Sequence, residues 1–324
     1  MNEKINVTIL DNLSTSFKSN PSWSSPLDKS DIALKPVIKV NNKYYCFLSP
    51  NLIRNVVPIV ESFLTTLPER QIYGDTKGNY FESKSLELLN KLLPSSKIYS
   101  SLKYLKDCEI DGIVIYNDCL LLIEVKGKKR RCIACANDIL EITKEDFISH
   151  VNSAFEQSKR ALDYIASKPE VQFKESKTGY CLNINRSHFK HIFLINVTLE
   201  SFSEFSTDLN LVKQWDTDLI KGDVYPWVVN IYDLLVIADL LDSPEYFIEY
   251  LKERIDLNKN QEIKALDELD FLGYYLENGS LKKFEDLISS APPLINGFQE
   301  NIDRWYSYER GEIGFAEKPK RMCS

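Results

Sequence analysis

Between Glu109 and Gly127 the chain reads Glu-Ile-Asp-Gly-Ile-Val-Ile-Tyr-Asn-Asp-Cys-Leu-Leu-Leu-Ile-Glu-Val-Lys-Gly, with Asp111, Glu124 and Lys126 spaced so that they meet. Two apolar runs join at Asn117-Asp118, residue types that tolerate the left-handed backbone of a tight hairpin turn. A turn centred there sets Asp111 directly opposite Glu124 on antiparallel strands. Facing residues project to the same side with their β-carbons about 4.5 to 5.5 Å apart. Like charges so placed destabilise a sheet unless a cation fills the gap or one carboxyl holds a proton. Oxygen ligands favour a hard ion, Mg2+ with Mn2+ as its substitute. Lys126 lies two residues past Glu124 and therefore on the same side, where its ammonium reaches a water or phosphate bound to that ion.

A Glu-x-Lys alternation by itself is also what the solvated face of an edge strand looks like. Its surroundings here are different. Leu120 and Leu122 precede Glu124 on its face, and Ile113 and Ile115 follow Asp111 on the same one, so the charges end an otherwise apolar face. That is the pattern of a site at the margin of a core.

The flanking elements follow from periodicity and punctuation. Ser14 to Asp31 is rich in Ser, Asn, Asp and Pro and reads as loosely structured. Lys35 to Leu48 carries a hairpin signal at Asn41-Asn42, and Leu52 to Leu67 has apolar residues at helical spacing. Gly74-Asp75-Thr76-Lys77-Gly78 reads as a flexible joint. Tyr80 to Leu93 draws an amphipathic stripe stopped by Pro94, a predicted helix. Strands are predicted at Ile98 to Leu105, Glu109 to Tyr116 and Cys119 to Lys126, then a basic loop, a helix over Thr143 to Ser167, and a buried strand at His191 to Val197. Val224 to Asn230 reads as a further strand, and Ile231 to Leu241 and Pro244 to Ile255 as helices. The expected fold is α/β: an αβββαβ core with a central mixed sheet flanked by helices. The boundaries read as 1–75 for a small N-terminal subdomain, 76–258 for the core and 259–324 for a mostly helical, acidic extension.

With these residues and this order, the chain resembles the PD-(D/E)XK nucleases of the restriction-endonuclease-like fold. Asp111 matches the motif aspartate, Glu124-Val125-Lys126 the ExK, and Glu82 on the preceding helix the acidic residue many members carry. The resemblance covers roughly residues 78 to 230. It departs from the pattern in having Glu109-Ile110 where a proline precedes the aspartate. Gln157, on the helix after the ExK strand, falls where members present a polar residue to the site. The resemblance implies phosphodiester hydrolysis, with Mg2+ held by Asp111, Glu124 and the main-chain carbonyl of Val125, and Glu82, Lys126 and Gln157 completing the catalytic group. Lys126 serves either as base or as electrostatic stabiliser. Segments 243–253 and 267–279 look like the helical extension of large bacterial restriction or phage-defence proteins.

The chain has 40 Lys and Arg against 47 Asp and Glu, a net charge of −7, so nucleic acid has no global positive field to follow. Lys126 to Arg131 is the exception, five basic residues in six. Lys128, Lys129, Arg130 and Arg131 are accordingly the residues expected to touch phosphates, which position a backbone without reading bases. Seven cysteines, an odd number, suit reduced thiols, and a lone CxxC at Cys132 and Cys135 does not make a zinc finger. His150, His188 and His191 read as structural. The expected partner is DNA, duplex rather than single strand, with a homodimer if both strands are cut at once. The start lacks a signal sequence and no apolar run reaches bilayer length, so the expected location is cytoplasmic, away from membranes. The rival reading is a catalytically silent module of the same fold that binds nucleic acid or a partner protein, the latter through the acidic C-terminal region with Trp305, Tyr306 and Tyr308.

Overall fold

A computed structural model describes residues 7–16, 31–47, 49–128, 139–259, 264–282 and 294–322. The chain divides into two compact units. One comprises residues 1–77 with 131–143, the other 78–130 with 144–324. Residues 17–30, most of the stretch read as loosely structured, lie outside the described residues.

The first unit contains α1 (Val7–Asn12), β1 (Ser14–Thr15), α2 (Asp31–Leu34), β2 (Val37–Val40), β3 (Lys43–Tyr45), α3 (Ser49–Arg54) and α4 (Val56–Ser62). The expected hairpin is β2–β3, with Asn41 and Asn42 both at positive φ, 46° and 58°. The single helix expected over 52–67 is instead two short ones. Pro58 cannot donate to the carbonyl of Arg54, which breaks the run at Asn55.

The next helix, α5 (Leu67–Leu92), corrects a second expectation, because it runs straight through the Gly74–Gly78 stretch read as a joint. Its start is fixed by a capping box: Glu69 N–H donates to Thr66 Oγ1 (3.3 Å) and Thr66 N–H to Glu69 Oε2 (3.0 Å). From that nucleus each further residue adds a hydrogen bond, and the helix continues despite the roughly 1 kcal/mol that each glycine costs relative to alanine.

The second unit is built on a seven-stranded mixed sheet in the order β10-β9-β6-β5-β4-β7-β8. Its strands are β4 (Lys97–Tyr104), β5 (Cys108–Tyr116), β6 (Cys119–Lys126), β7 (Glu170–Glu175), β8 (Cys181–Asn185), β9 (His191–Thr198) and β10 (Trp227–Asn230). β4, β5 and β6 form an antiparallel meander, and β9 and then β10 add in parallel. The crossover from β6 to β9 contains α6 (Ile139–Phe147), a π-helical turn (Ile148–Asn152) and α7 (Ser153–Ala166). It also contains the hairpin β7–β8, absent from the expected αβββαβ order, which extends the sheet beyond β4.

Helices cover both faces. Leu102, Ile113, Leu120, Leu122 and Leu194 pack with Phe155, Ala161 and Ile165 of α7 on one side. On the other, Val114, Leu121, Ile123 and Val229 pack with Leu86, Leu89 and Leu92 of α5 and with α10 (Ile231–Leu240), α11 (Pro244–Leu257) and α12 (Glu268–Asn278). The remaining elements are α8 (Glu204–Thr207), α9 (Leu209–Trp215), the short parallel pair β11 (Lys264–Ala265) and β12 (Leu294–Ile295), and α13 (Glu300–Glu309). The region beyond 259 shares this core through Phe271, Tyr275, Ile302 and Trp305. Glu268 anchors it, accepting from Trp227 Nε1 (2.8 Å), Tyr250 Oη (2.7 Å) and Arg254 Nε (3.0 Å), all buried. Among the described residues no helix is long and apolar enough to cross a membrane.

Candidate active site

The β5–β6 hairpin turns at Asn117-Asp118, with Asn117 at φ 51°, and pairs Tyr116 with Cys119 through to Gly112 with Ile123. The regular pairing ends there, and the next residues along the two strands are Asp111 and Glu124. At that rung the side chain enters the backbone ladder: Asp111 Oδ2 accepts the Val125 N–H at 2.8 Å. The β4–β5 ladder is distorted at the same level. Ser100 pairs with Gly112 and Leu102 with Ile110, while Ser101 between them, at φ 51°, turns its carbonyl to accept the Ser176 N–H from the end of β7.

Glu124 is 1% exposed, and Lys126 Nζ lies 3.1 Å from its Oε2. Its other oxygen, Oε1, is buried without a hydrogen-bond donor. Burial, and then the charge of Asp111, push the Glu124 carboxyl up to about 8, against the partial opposition of Lys126. Asp111 is also raised by burial, less so because the Val125 N–H and the Lys126 ammonium favour its charged form. Burial and the neighbouring Asp111 charge thus disfavour the ionised form of Glu124. Glu82, half-buried on α5, is raised by its own burial and then by Asp111 and Glu109, which brings it into the electrostatic field of the pair.

Gln157 stands on α7, whose packed face covers this side of the sheet. Its main-chain carbonyl accepts the Tyr104 hydroxyl (3.4 Å), and its Oε1 is buried without a partner. Tyr104 is pushed up to about 12, by burial first. Val125 lies past the last β5 pairing, so its carbonyl is free of the β5 ladder and projects from the same strand edge as its N–H. Lys128 is exposed, and Lys129, Arg130 and Arg131, like Cys132 and Cys135, lie outside the described residues.

Among the described residues no group of three or more His, Cys, Asp and Glu is arranged to hold a metal ion. The donor set at this rung nevertheless suits a hard divalent cation: two opposed carboxylates, one with a buried unpartnered oxygen, where either a proton or a cation must relieve the repulsion. Sequence reasoning missed Tyr104 and Asn196. The latter had a visible signal, a single amide inside the apolar run Ile192 to Val197. No family model, no curated protein and no solved structure matches the chain.

Proposed function

We propose that the chain is a metal-dependent nuclease that hydrolyses phosphodiester bonds, of the restriction-endonuclease-like kind and most at home as a DNA endonuclease in restriction or anti-phage defence. The observation that carries this reading is the buried Asp111–Glu124 rung with Lys126 Nζ 3.1 Å from Glu124. The element order supports it: helix, antiparallel meander, crossover helix and a parallel strand beside the ExK strand, with β7–β8 as an insertion.

Asp111, Glu124 and the Val125 carbonyl would hold Mg2+ or Mn2+. When bound, such an ion acts as a Lewis acid that lowers the pKa of a coordinated water. Binding needs Glu124 in its ionised form, which burial and Asp111 oppose and the charge of the cation would favour. Lys126 offsets the negative charge that builds on the phosphoryl oxygens as the water oxygen forms its bond to phosphorus and the bond to the leaving sugar oxygen breaks. The leaving oxygen takes up a proton. Glu82 adds a carboxylate at the rim, and Gln157 presents an amide oxygen from α7. Lys128 to Arg131 grip the backbone near the site.

The test is cleavage by Asp111→Ala and Glu124→Ala. Both variants are expected to lose activity by at least about a thousandfold, as removal of an electrostatic group at a reacting centre does, while keeping the wild-type circular dichroism spectrum. Unfolding of both would make the pair structural. Absence of cleavage by a folded wild type that still binds DNA would favour the silent module.

A further inference from the structure

The wall beside Glu124 holds a residue that the reaction above does not use. Asn196 is wholly buried on β9 and is the Cα partner of Glu124 in the parallel β6–β9 pairing. Partners at one rung project to the same side. Two rungs earlier, on the same side, Ile113, Leu122 and Leu194 form an apolar row across β5, β6 and β9 in the core beneath α7. At the site rung the corresponding row is Asp111, Glu124 and Asn196, three oxygen-bearing side chains on three adjacent strands. Leucine, the residue of β9 two rungs back, would continue the apolar row and carry no polar atom of its own.

The orientation of the amide is fixed chemically. Asn196 Nδ2 donates to the Val151 carbonyl at 3.3 Å, and a carbonyl only accepts, so the nitrogen must face Val151 and Oδ1 the other way. Val151 belongs to the π-helical turn between α6 and α7, a feature often found at functional sites. Asn196 Oδ1 is buried and receives no donor, and the same holds for Glu124 Oε1 beside it and for Gln157 Oε1 on the covering helix. Once Glu124 is ionised none of these oxygens has a proton to give, so they cannot satisfy one another. A cation between the paired Glu124 and Asn196 would satisfy both.

We propose that Asn196 is a third side-chain oxygen donor of this site, contributing Oδ1 to a divalent cation held with Asp111, Glu124 and the Val125 carbonyl. The inference rests on the cation reading above and extends it: a neutral amide adds a ligand without adding charge, so two carboxylates and one amide match a divalent ion.

Titration of the full chain with Mn2+ at pH 8 without nucleic acid, read by the electron paramagnetic resonance of free Mn2+, tests it on wild type, Asn196→Leu and Asn196→Asp. A thermal melt of each in EDTA runs alongside. Asn196→Leu is expected to bind Mn2+ at least about tenfold more weakly, yet to melt in EDTA at or above the wild-type temperature, because the unpaired oxygen is gone. Asn196→Asp keeps an oxygen at Oδ1 and is expected to bind as tightly as wild type or more tightly. Equal affinity in wild type and Asn196→Leu overturns the proposal and leaves the Asp111–Glu124 site standing. A wild type that binds no Mn2+ overturns the cation reading itself. Where Asn196→Leu fails to fold, weakened binding by Asn196→Asp overturns the proposal in its place.

Discussion

Asp111 and Glu124 are held together by backbone register, and their repulsion is a property the metal-free protein must show. A carboxyl whose folded pKa lies above its unfolded value takes up a proton on folding, so its contribution to stability is present at low pH and is lost as pH rises through the folded value. For Glu124 that window runs from its ordinary value of 4.5 to about 8. Asp233, likewise pushed up to about 8 by burial and by Asp267 and Glu268, acts in the same direction. In EDTA the stability is therefore expected to fall between pH 5 and pH 8, by no more than about 1.4 kcal/mol per pH unit for each proton involved, and the melting temperature with it. Glu124→Gln is expected to flatten the fall without abolishing it, since Asp233 remains. Divalent cation is expected to raise the melting temperature more at pH 8 than at pH 6, because it replaces a proton. Melting curves across pH check both, and an identical slope in wild type and Glu124→Gln would remove Glu124 from the pair.

The strands that carry the site were the most legible elements, and the reason is local. Asn117-Asp118 sets the turn, the turn sets the register, and the register alone decides that Asp111 meets Glu124. Other elements depended on less local terms. Glycines at 74 and 78 suggest a break, yet the Thr66–Glu69 capping box starts a helix that continues through them. A β-carbon at Gly74 or Gly78 would meet no atom within 4 Å. Gly78→Ala is thus expected to stabilise the protein by about 0.5 to 1 kcal/mol, read by urea denaturation. A neutral or destabilising result would restore the joint. The β7–β8 hairpin had a readable alternation, with Val171, Phe173, Leu182 and Ile184 buried between exposed or half-buried neighbours, but it interrupts a crossover in which a helix alone suffices to connect parallel strands. The role argued for Asn196 depends on a parallel pairing across more than seventy residues of sequence, which no local pattern specifies.

At the scale of the whole molecule, the proposed nuclease activity would require a chain of net charge −7 to bring a polyanion to two carboxylates. On that reading the basic run from Lys126 to Arg131, which follows Glu124 in sequence, is the expected local counterweight. Replacing Lys128, Lys129, Arg130 and Arg131 with Gln is expected to weaken DNA binding and to lower the slope of log affinity against log salt by up to about 0.9 for each phosphate no longer neutralised. An unchanged slope would take this run off the DNA path. One such site cuts one strand, so a double-strand break requires a second copy or two successive events. The claim on which all of this stands is that Asp111, Glu124 and Lys126 perform metal-dependent hydrolysis. Its most direct test is cleavage of supercoiled plasmid and of a labelled single strand by wild type and Lys126→Ala, with Mg2+, Mn2+ and EDTA run in parallel. Cutting by the wild type in either metal, none in EDTA and none by Lys126→Ala is the predicted result; cutting that persists in EDTA or in Lys126→Ala would contradict it.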